Sequence, residues 1–84
     1  MTFDEIKQRL KHYTVGIAGA GGLGSNVAMH LTRVGIGKLV VADFDVVQES
    51  NLNRQFYFRH QLGAKKVEAL KTNLLAINPE LNIV

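Results

Sequence analysis

The sequence predicts an α/β fold: a Rossmann-like half in which a parallel sheet is flanked by helices. Three observations support this class. Short apolar runs rich in β-branched residues alternate with stretches of helical periodicity, and a glycine-rich segment joins the first run to the helix after it. The order strand, helix, strand, helix, strand gives two crossover units, where a complete doubly wound fold has about six strands. We therefore predict one truncated doubly wound domain over residues 1–84, a fragment of a longer chain.

The first helix and the first two strands have local signals. Thr2 followed by Glu5 is a capping-box pattern, which predicts a helix over residues 2–12. Residues 13–18 and 38–42 are β-prone apolar runs. The second run lacks polar alternation, so we expect both faces of that strand to be covered.

Glycine and proline mark where the later elements end. Apolar residues recur every three or four positions from Val27, which predicts a helix that stops at Gly35 and Gly37. The same periodicity predicts a third helix over residues 64–78. Pro79 ends it, because proline disfavours helical geometry in the residue before it. Residues 81–84 have the composition of a further strand.

Composition excludes several classes of protein. With 46% apolar and 20% charged residues, the chain has the balance of one globular domain, and no apolar run reaches the ~20 residues of a membrane helix. The absence of cysteine excludes disulfides, thiolate metal sites and cysteine nucleophiles. The net charge of +3 is mild and its lysines and arginines are scattered, which argues against nucleic-acid binding. The N-terminal residues lack the apolar region of a signal peptide, so we expect a cytoplasmic protein.

Residues 19–24 fit the G-x-G-x-x-G pattern that joins a strand to a helix beside a phosphate. Gly19 allows the tight turn, and Gly21 and Gly22 let backbone N–H groups approach the anion. Gly24 permits close packing of helix on strand, and the positive end of the helix dipole faces the phosphate. Because a strand precedes this loop and a helix follows it, we predict phosphate binding in preference to a purely structural turn.

Two acids follow the second predicted strand. Asp43 lies about 20 residues after the glycine loop, where an acid in dinucleotide-binding folds hydrogen-bonds the ribose hydroxyls. For Asp45 the sequence leaves two roles open, assistance to a metal or the loop and the capping of a turn. The connection over residues 43–55 contains no glycine or proline, so we predict a structured segment rather than a flexible linker.

Three motifs in this order resemble the ThiF/MoeB family of ubiquitin-activating-enzyme-like adenylyltransferases. They are G-x-G-G-L-G at 19–24, D-x-D at 43–45 and S-N-L-x-R-Q at 50–55, and a G-x-x-K pattern follows at 63–66. The resemblance covers about residues 13–84. It implies ATP and Mg²⁺ binding. It also implies adenylation of the C-terminal glycine carboxylate of a ubiquitin-like sulfur-carrier protein of the ThiS/MoaD type, for thiamine or molybdopterin biosynthesis.

The resemblance implies roles for individual residues. Gly22 contacts ATP through its backbone, and Asp43 holds the ribose. Arg54 is the main cation on the triphosphate and Lys66 neutralises phosphate charge, so these two are the implied catalytic residues. Lys65 stays open as an alternative to Lys66, because the two point about 100° apart around a helix. The remaining residues implied to line the nucleotide site are Ser50, Asn51, Leu52, Asn53 and Gln55.

The resemblance also implies a homodimer. Family members use an arginine near the N-terminus to reach the neighbouring subunit's nucleotide site, and Arg9 precedes the first predicted strand; an exposed helix charge is the other interpretation. The unpaired edge of a three-stranded sheet likewise favours self-association. In relatives, an aspartate that handles Mg²⁺, zinc-binding cysteine pairs and the groove for the carrier lie beyond the position of residue 84, so we expect this chain alone to be inactive.

Two other functions stay open. The glycine loop and Asp43 alone would also suit an NAD- or FAD-binding oxidoreductase domain, which leaves residues 50–55 and Lys66 unexplained. A non-catalytic scaffolding half is the third hypothesis, and the presence of Arg54 and Lys66 counts against it. The histidines His12, His30 and His60 lack metal-ligand spacing. We predict that the aromatic residues 56–58 pack and hold the preceding loop, or form a dimer contact, rather than stack on a nucleobase.

Overall fold

The computed structural model describes residues 2–84 and contains one parallel three-stranded sheet with helices beside it. The α/β class and the parallel sheet predicted from the sequence are confirmed. Among the described residues, no helix is long and apolar enough to cross a membrane. In chain order the elements are α1 (Phe3–Leu10), β1 (Thr14–Ala18), α2 (Gly22–Val34), β2 (Lys38–Ala42), two 3₁₀ helices (Glu49–Asn53 and Arg59–Gln61), α3 (Lys66–Ile77) and β3 (Asn82–Ile83).

The two crossovers place both long helices on one face of the sheet. The strand order is β1-β2-β3, with Val15 paired to Leu39 and Leu39 to Ile83. Each crossover therefore moves one strand in the same direction, and right-handed connections then put α2 and α3 on the same side, where they pack against each other. Ala18 pairs with Ala42, so β1 and β2 end together at the edge of the sheet formed by the carboxyl ends of its strands.

The apolar core lies between this face and the two helices. Leu39 of β2 and Leu70 and Leu74 of α3 are fully buried, and Ala28 of α2 packs with them. Complete burial of each leucine contributes about 1.5–3 kcal/mol relative to exposure. The core therefore fixes α2 and α3, the two helices that begin at the edge where β1 and β2 end.

The prediction that both faces of β2 are covered is wrong for the described residues. Leu39 faces the helices, whereas its neighbour Val40 is 41% exposed. Gly16, Ala18 and Ala42 are also exposed. Side chains alternate between the faces of a sheet, and α2 and α3 occupy only one of them. The apolar composition of β2 thus did not distinguish a strand covered on both sides from one with an open apolar face.

Helix α1 begins as predicted and ends two residues early. The Thr2 hydroxyl accepts a hydrogen bond from the Glu5 N–H at 3.1 Å, which confirms the predicted N-cap. At the other end, the Gly37 N–H donates to the Leu10 carbonyl at 3.1 Å. A Cβ at Gly37 would overlap the Lys11 carbonyl, so the chain passes here at a separation that only glycine allows.

Helices α2 and α3 end where glycine and proline predicted. Gly35 has a φ of +100° and donates to carbonyls of the last turn of α2. Asn78 is extended before Pro79, and α3 stops at Ile77. The start of α3 is two residues later than predicted, because the Ala64 carbonyl accepts the Val47 N–H and Lys65 is extended and bridged to Val46, in the segment after β2.

We predict that Leu70→Ala lowers the free energy of unfolding by about 2–5 kcal/mol, because it leaves a cavity between α3 and the sheet. Leu23→Ala, on the first turn of α2 where the side chain is 83% exposed, is the matched control and should change stability by less than about 0.5 kcal/mol. Urea unfolding followed by circular dichroism measures both. Equal losses for the two variants would contradict the placement of the core.

Candidate functional site

The glycine loop turns from the end of β1 into the start of α2. Gly19 has a φ of +95°, a conformation that favours glycine, and a Cβ at Gly24 would overlap the Gly19 carbonyl. Gly21 caps α2 without any side-chain hydrogen bond to the helix. The N–H groups of the first turn have no acceptor within the helix, so they and the positive end of the dipole are available to an anion.

Asp43, at the end of β2, holds this loop. One carboxylate oxygen accepts the Ala20 N–H at 2.7 Å, and the other accepts the Asp45 N–H at the same distance. The predicted ribose ligand therefore has a structural role that the sequence did not indicate. Each carboxylate oxygen can accept more than one hydrogen bond, so Asp43 can accept ligand hydroxyl groups while it holds the loop.

The charge on Asp43 is stabilised by its surroundings. Burial is the largest single influence and raises the pKa of this carboxyl. The backbone N–H groups, led by Ala20 and then Asp45, and the nearby positive charge of Lys66 oppose it and together hold the pKa below its ordinary value of 3.8. The carboxylate is therefore ionised throughout the neutral range and remains an acceptor for the loop.

Arg54 lies against the first turn of α2. A Cβ at Gly22 would lie 3.6 Å from Arg54 Nε and 3.7 Å from Arg54 Cδ, so the side chain runs beside the glycine loop. The Asn26 carboxamide nitrogen donates to the carbonyls of both Gly22, at 2.6 Å, and Arg54, at 2.7 Å. The Phe56 N–H donates to the Ser25 hydroxyl at 3.0 Å. The segment that carries Arg54 is thus fixed to α2 at two points.

Tyr57 attaches the same segment to the glycine loop. Its buried hydroxyl donates to the Ala20 carbonyl at 2.6 Å. Burial, and then the negative charge of Asp43, raise the Tyr57 pKa far above its ordinary value, so the hydroxyl stays protonated and remains a donor. The prediction that the aromatic run holds the loop is consistent with Tyr57, whereas Phe58 is 47% exposed and stacks on His60.

Gln55 is buried beside the glycine loop. A Cβ at Gly21 would lie 3.9 Å from Gln55 Nε2. Gln55 Oε1 has no hydrogen-bond donor among the residues that the structure describes. A buried carbonyl oxygen without a donor costs about 1–3 kcal/mol, so a ligand N–H or hydroxyl at this position would remove a penalty.

Lys66 lies at this edge of the sheet and is buried, whereas the side chain of Lys65 is exposed. The Lys66 N–H donates to the Asp45 carbonyl at 2.9 Å, which fixes the first residue of α3 beside the end of β2. Lys66 is close enough to affect the Asp43 pKa. Of the two lysines that the sequence left open, Lys66 is therefore the one whose charge acts on Asp43, the acid that holds the glycine loop.

Most of the remaining predicted site residues lie on the 3₁₀ helix Glu49–Asn53. The Asn51 carboxamide oxygen accepts the Gln48 N–H at 2.8 Å, so this side chain closes the turn. Leu52 packs against the core, and Ser50 and Asn53 are exposed. The structure thus brings Arg54 and Gln55 to the glycine loop and gives Asn51 and Leu52 contacts that shape the turn before them.

Two residues at this edge were missed in the sequence: Ser25 and Asn26. Each binds backbone atoms about 30 residues away along the chain. Local spacing does not reveal such pairs. The available signal was a pair of polar residues that directly follows the last glycine of the loop, at the start of the predicted helix.

Other candidate features lie elsewhere. The side chains of His12, His30 and His60 are exposed, and no group of three metal-ligating side chains occurs within residues 2–84. Arg9 is exposed on α1. A cavity of about 320 Å³ near the C-terminal ends of the three helices is lined by charged side chains that include Lys7, Lys11, Arg33 and Glu80. None of its lining residues belongs to the glycine loop, so this cavity is separate from it.

A glycine loop at the edge of a parallel sheet, followed by an acid at the end of the next strand, defines a Rossmann-like domain. The chain belongs to the ThiF family, whose sequence profile matches residues 2–84. Ubiquitin-like modifier-activating enzyme 5 of Caenorhabditis elegans is 47% identical over 76 residues, which cover 90% of this chain and 18% of that protein. The Xenopus laevis protein of the same name is 46% identical over 77 residues, covering 92% and 19%. The chain spans about a fifth of the length of these curated relatives.

Solved structures give the same family. PaaA superposes with a TM-score of 0.90 at 40% identity, over 93% of this chain and 24% of that one. Escherichia coli MccB with ATP gives 0.88 at 34% identity, over 93% and 23%. The E. coli tRNA N6-threonylcarbamoyladenosine dehydratase TcdA, in complex with AMP, gives 0.90 at 33% identity, over 95% and 33%. The Rossmann-like fold predicted from the sequence is confirmed by these neighbours.

We predict that the Asp43 carboxylate stabilises the fold in a pH-dependent manner. The pKa of Asp43 is lower in the folded than in the unfolded chain. Its contribution to stability is therefore complete at a pH well above its pKa in the unfolded chain, and is lost as the pH falls through its pKa in the folded chain. The stability difference between the wild type and Asp43→Asn should be constant from about pH 6 to 7 and should shrink below about pH 4.

Urea unfolding at a series of pH values measures this difference. Asp4→Asn is the matched control, because it removes an exposed carboxylate on α1, far along the chain from the glycine loop. A wild-type-to-Asp43→Asn difference that stayed the same down to pH 2 would contradict the role assigned to the ionised carboxylate.

Proposed function

We propose that this chain supplies the ATP-binding part of an enzyme that adenylates the C-terminal glycine carboxylate of a ubiquitin-like sulfur-carrier protein. The carrier proposed is of the ThiS/MoaD type, in thiamine or molybdopterin biosynthesis. The observation that carries the ATP site is the position of the Arg54 side chain beside Gly22, with Lys66 near Asp43 at the same edge of the sheet.

The charges at this edge suit pyrophosphate departure. In adenylation a carboxylate attacks the α-phosphorus of ATP, the bond to the β-phosphate oxygen breaks, and pyrophosphate leaves with added negative charge. Cations placed in advance around that charge lower the barrier. Within residues 2–84 neither Arg54 nor Lys66 has a carboxylate within 4 Å, so neither positive charge is neutralised by an ion pair.

This reaction needs no nucleophile from the protein. The substrate carboxylate attacks, so the absence of cysteine from the chain is compatible with adenylation. The first-turn N–H groups of α2 would bind phosphate, and Asp43 would accept the ribose hydroxyls while it holds Ala20. Gln55 Oε1 is a free acceptor beside the loop for an N–H or hydroxyl of the bound molecule.

The names of the relatives support the substrate class. One relative is a ubiquitin-like modifier-activating enzyme, and MccB has been solved both with ATP and with N-formylated MccA. TcdA has been solved with AMP. Nucleotides and a polypeptide substrate thus occur among proteins that share this fold and a third or more of these residues. We transfer both classes to this chain as part of the proposal.

Magnesium would enter with the ATP phosphates. Mg²⁺ is commonly bound by phosphate oxygens, one or two carboxylates and water, so it needs no complete protein cage. Asp45 offers an exposed carboxylate next to Asp43, and no group of three ligating side chains occurs in the described part of the chain. This donor set fits a metal carried mainly by the nucleotide, where it would offset phosphate charge.

We also propose a cytoplasmic homodimer in which Arg9 of each subunit reaches the partner's nucleotide. Arg9 is exposed on α1 and has no ion-pair partner among residues 2–84, which is compatible with such a contact. The open edge strands of the sheet support self-association.

We predict that Arg54→Ala weakens ATP binding by about 10–100-fold, because it removes a charge-assisted contact to the phosphates. Adenosine affinity should change little. Titration calorimetry on the chain measures binding, and ATP–pyrophosphate exchange by a longer protein that contains this chain, in the presence of a carrier protein, measures activity. Arg59→Ala is the matched control, since this exposed arginine of the same segment pairs with Glu49 at 3.4 Å.

Unchanged ATP affinity in a folded Arg54→Ala chain would contradict the proposed phosphate contact. Equal losses for Arg54→Ala and Arg59→Ala would point to general electrostatics instead of a site. A tighter complex with NADH than with Mg-ATP would favour the oxidoreductase hypothesis, which leaves the positions of Arg54 and Lys66 without a role.

A further inference from the structure

We infer that Asn26 is a positioning residue that holds Arg54 at the phosphate end of the site. This inference rests on the proposed function, in which Arg54 contacts the ATP phosphates. The two residues are 28 positions apart along the chain and are joined by one side chain: the Asn26 carboxamide nitrogen donates to the Arg54 carbonyl at 2.7 Å.

The bridge has its other end on the glycine loop side of α2. The same nitrogen donates to the Gly22 carbonyl at 2.6 Å. Gly22 is also the residue beside which the Arg54 side chain lies, with Nε 3.6 Å from the position of a Cβ. Asn26 therefore fixes the main chain of Arg54 to Gly22. The Arg54 side chain runs beside this same residue at the first turn of α2.

The helix itself does not require this side chain. In an α-helix the backbone N–H of residue 26 already faces the carbonyl of residue 22, so the carboxamide adds a second donor to an acceptor that has one. Asparagine is also a mediocre helix former, because its side chain competes for backbone hydrogen bonds. The contact that a different residue could not supply is the bond to Arg54.

Besides the bond to Asn26, the Arg54 main chain makes one long hydrogen bond among the described residues, from its N–H to the Asn51 carbonyl at 3.4 Å. The Arg54 side chain is exposed and has no ion-pair partner within residues 2–84. Ser25 and Tyr57 hold the next residues of the segment, through the Phe56 N–H and the Tyr57 hydroxyl, but neither bond is made by Arg54. Ordering a long side chain on a free backbone costs conformational entropy, and fixing the backbone beforehand reduces that cost.

Asn26→Ser gives a selective test. A serine hydroxyl in a helix can donate to the carbonyl four residues earlier, so this variant keeps a bond to Gly22, but it is too short to reach Arg54. Asn26→Ala removes both bonds and serves as the second variant. Asn78→Ala is the matched control, because it removes an asparagine whose carboxamide oxygen accepts the Glu80 N–H at the end of α3.

The measurement is a double-mutant cycle on the affinity of the chain for ATP, with adenosine as the comparison ligand. Asn26→Ser should weaken ATP binding about 10-fold when Arg54 is present and less than about twofold in the Arg54→Ala background. Adenosine affinity should stay within about twofold throughout, and Asn78→Ala should match the wild type. Circular dichroism verifies that each variant is folded.

Several results would overturn the inference. An equal loss of ATP affinity with and without Arg54 would assign Asn26 a general structural role. If Asn26→Ser did not weaken ATP binding in the wild-type background, Asn26 would have no role in it. If Arg54→Ala itself left ATP binding unchanged, both this inference and the proposed function would fail. If Arg54→Ala weakened ATP binding but the effects of the Asn26 and Arg54 substitutions were additive, only the role of Asn26 would be rejected.

Discussion

The backbone of Ala20 is the point on which the whole edge depends. Its N–H donates to Asp43 at the end of β2, and its carbonyl accepts the Tyr57 hydroxyl from the segment that carries Arg54. Ala20 is fully buried, so loss of either partner would leave a polar backbone group without water or protein to bind. The geometry of the glycine loop is therefore determined jointly by the acid at the end of β2, which follows the loop in the chain, and by the segment that carries Tyr57, more than thirty residues after the loop.

The two cations reach this edge by different routes. Arg54 comes with an irregular segment whose contacts are hydrogen bonds to α2 and the loop. Lys66 is the first residue of α3, a long helix whose apolar side chains are part of the core, and the Lys66 N–H donates to the Asp45 carbonyl. Arg54 is thus held by a few polar contacts and Lys66 by apolar burial, so mutations in the core should move the lysine and polar substitutions at the edge should move the arginine.

Regular periodicity and punctuation by glycine and proline were sufficient to predict the order of the elements and the limits of β2. They were insufficient at Lys65, because the antiparallel bridge to Val46 holds that residue extended although its sequence favours a helix. The glycine loop, Asp43 and Arg54 were accessible from motif and resemblance. Asn26 was not, since an asparagine inside a helix has no pattern that identifies an acceptor 28 residues away. Long-range polar pairs are set by tertiary approach, on which a local pattern carries no information.

The hydrogen bonds that position the candidate site do not depend on the open face of the sheet. Val40 lies on the uncovered side of β2, whereas the loop, the acid and both cations are held by contacts with helices on the opposite side or at the edge. None of the hydrogen bonds that position Ala20 or Arg54 uses a residue of the open face. A partner or segment that covered Val40 would add apolar burial and stability, while the arrangement of charges around the glycine loop already follows from the described residues alone.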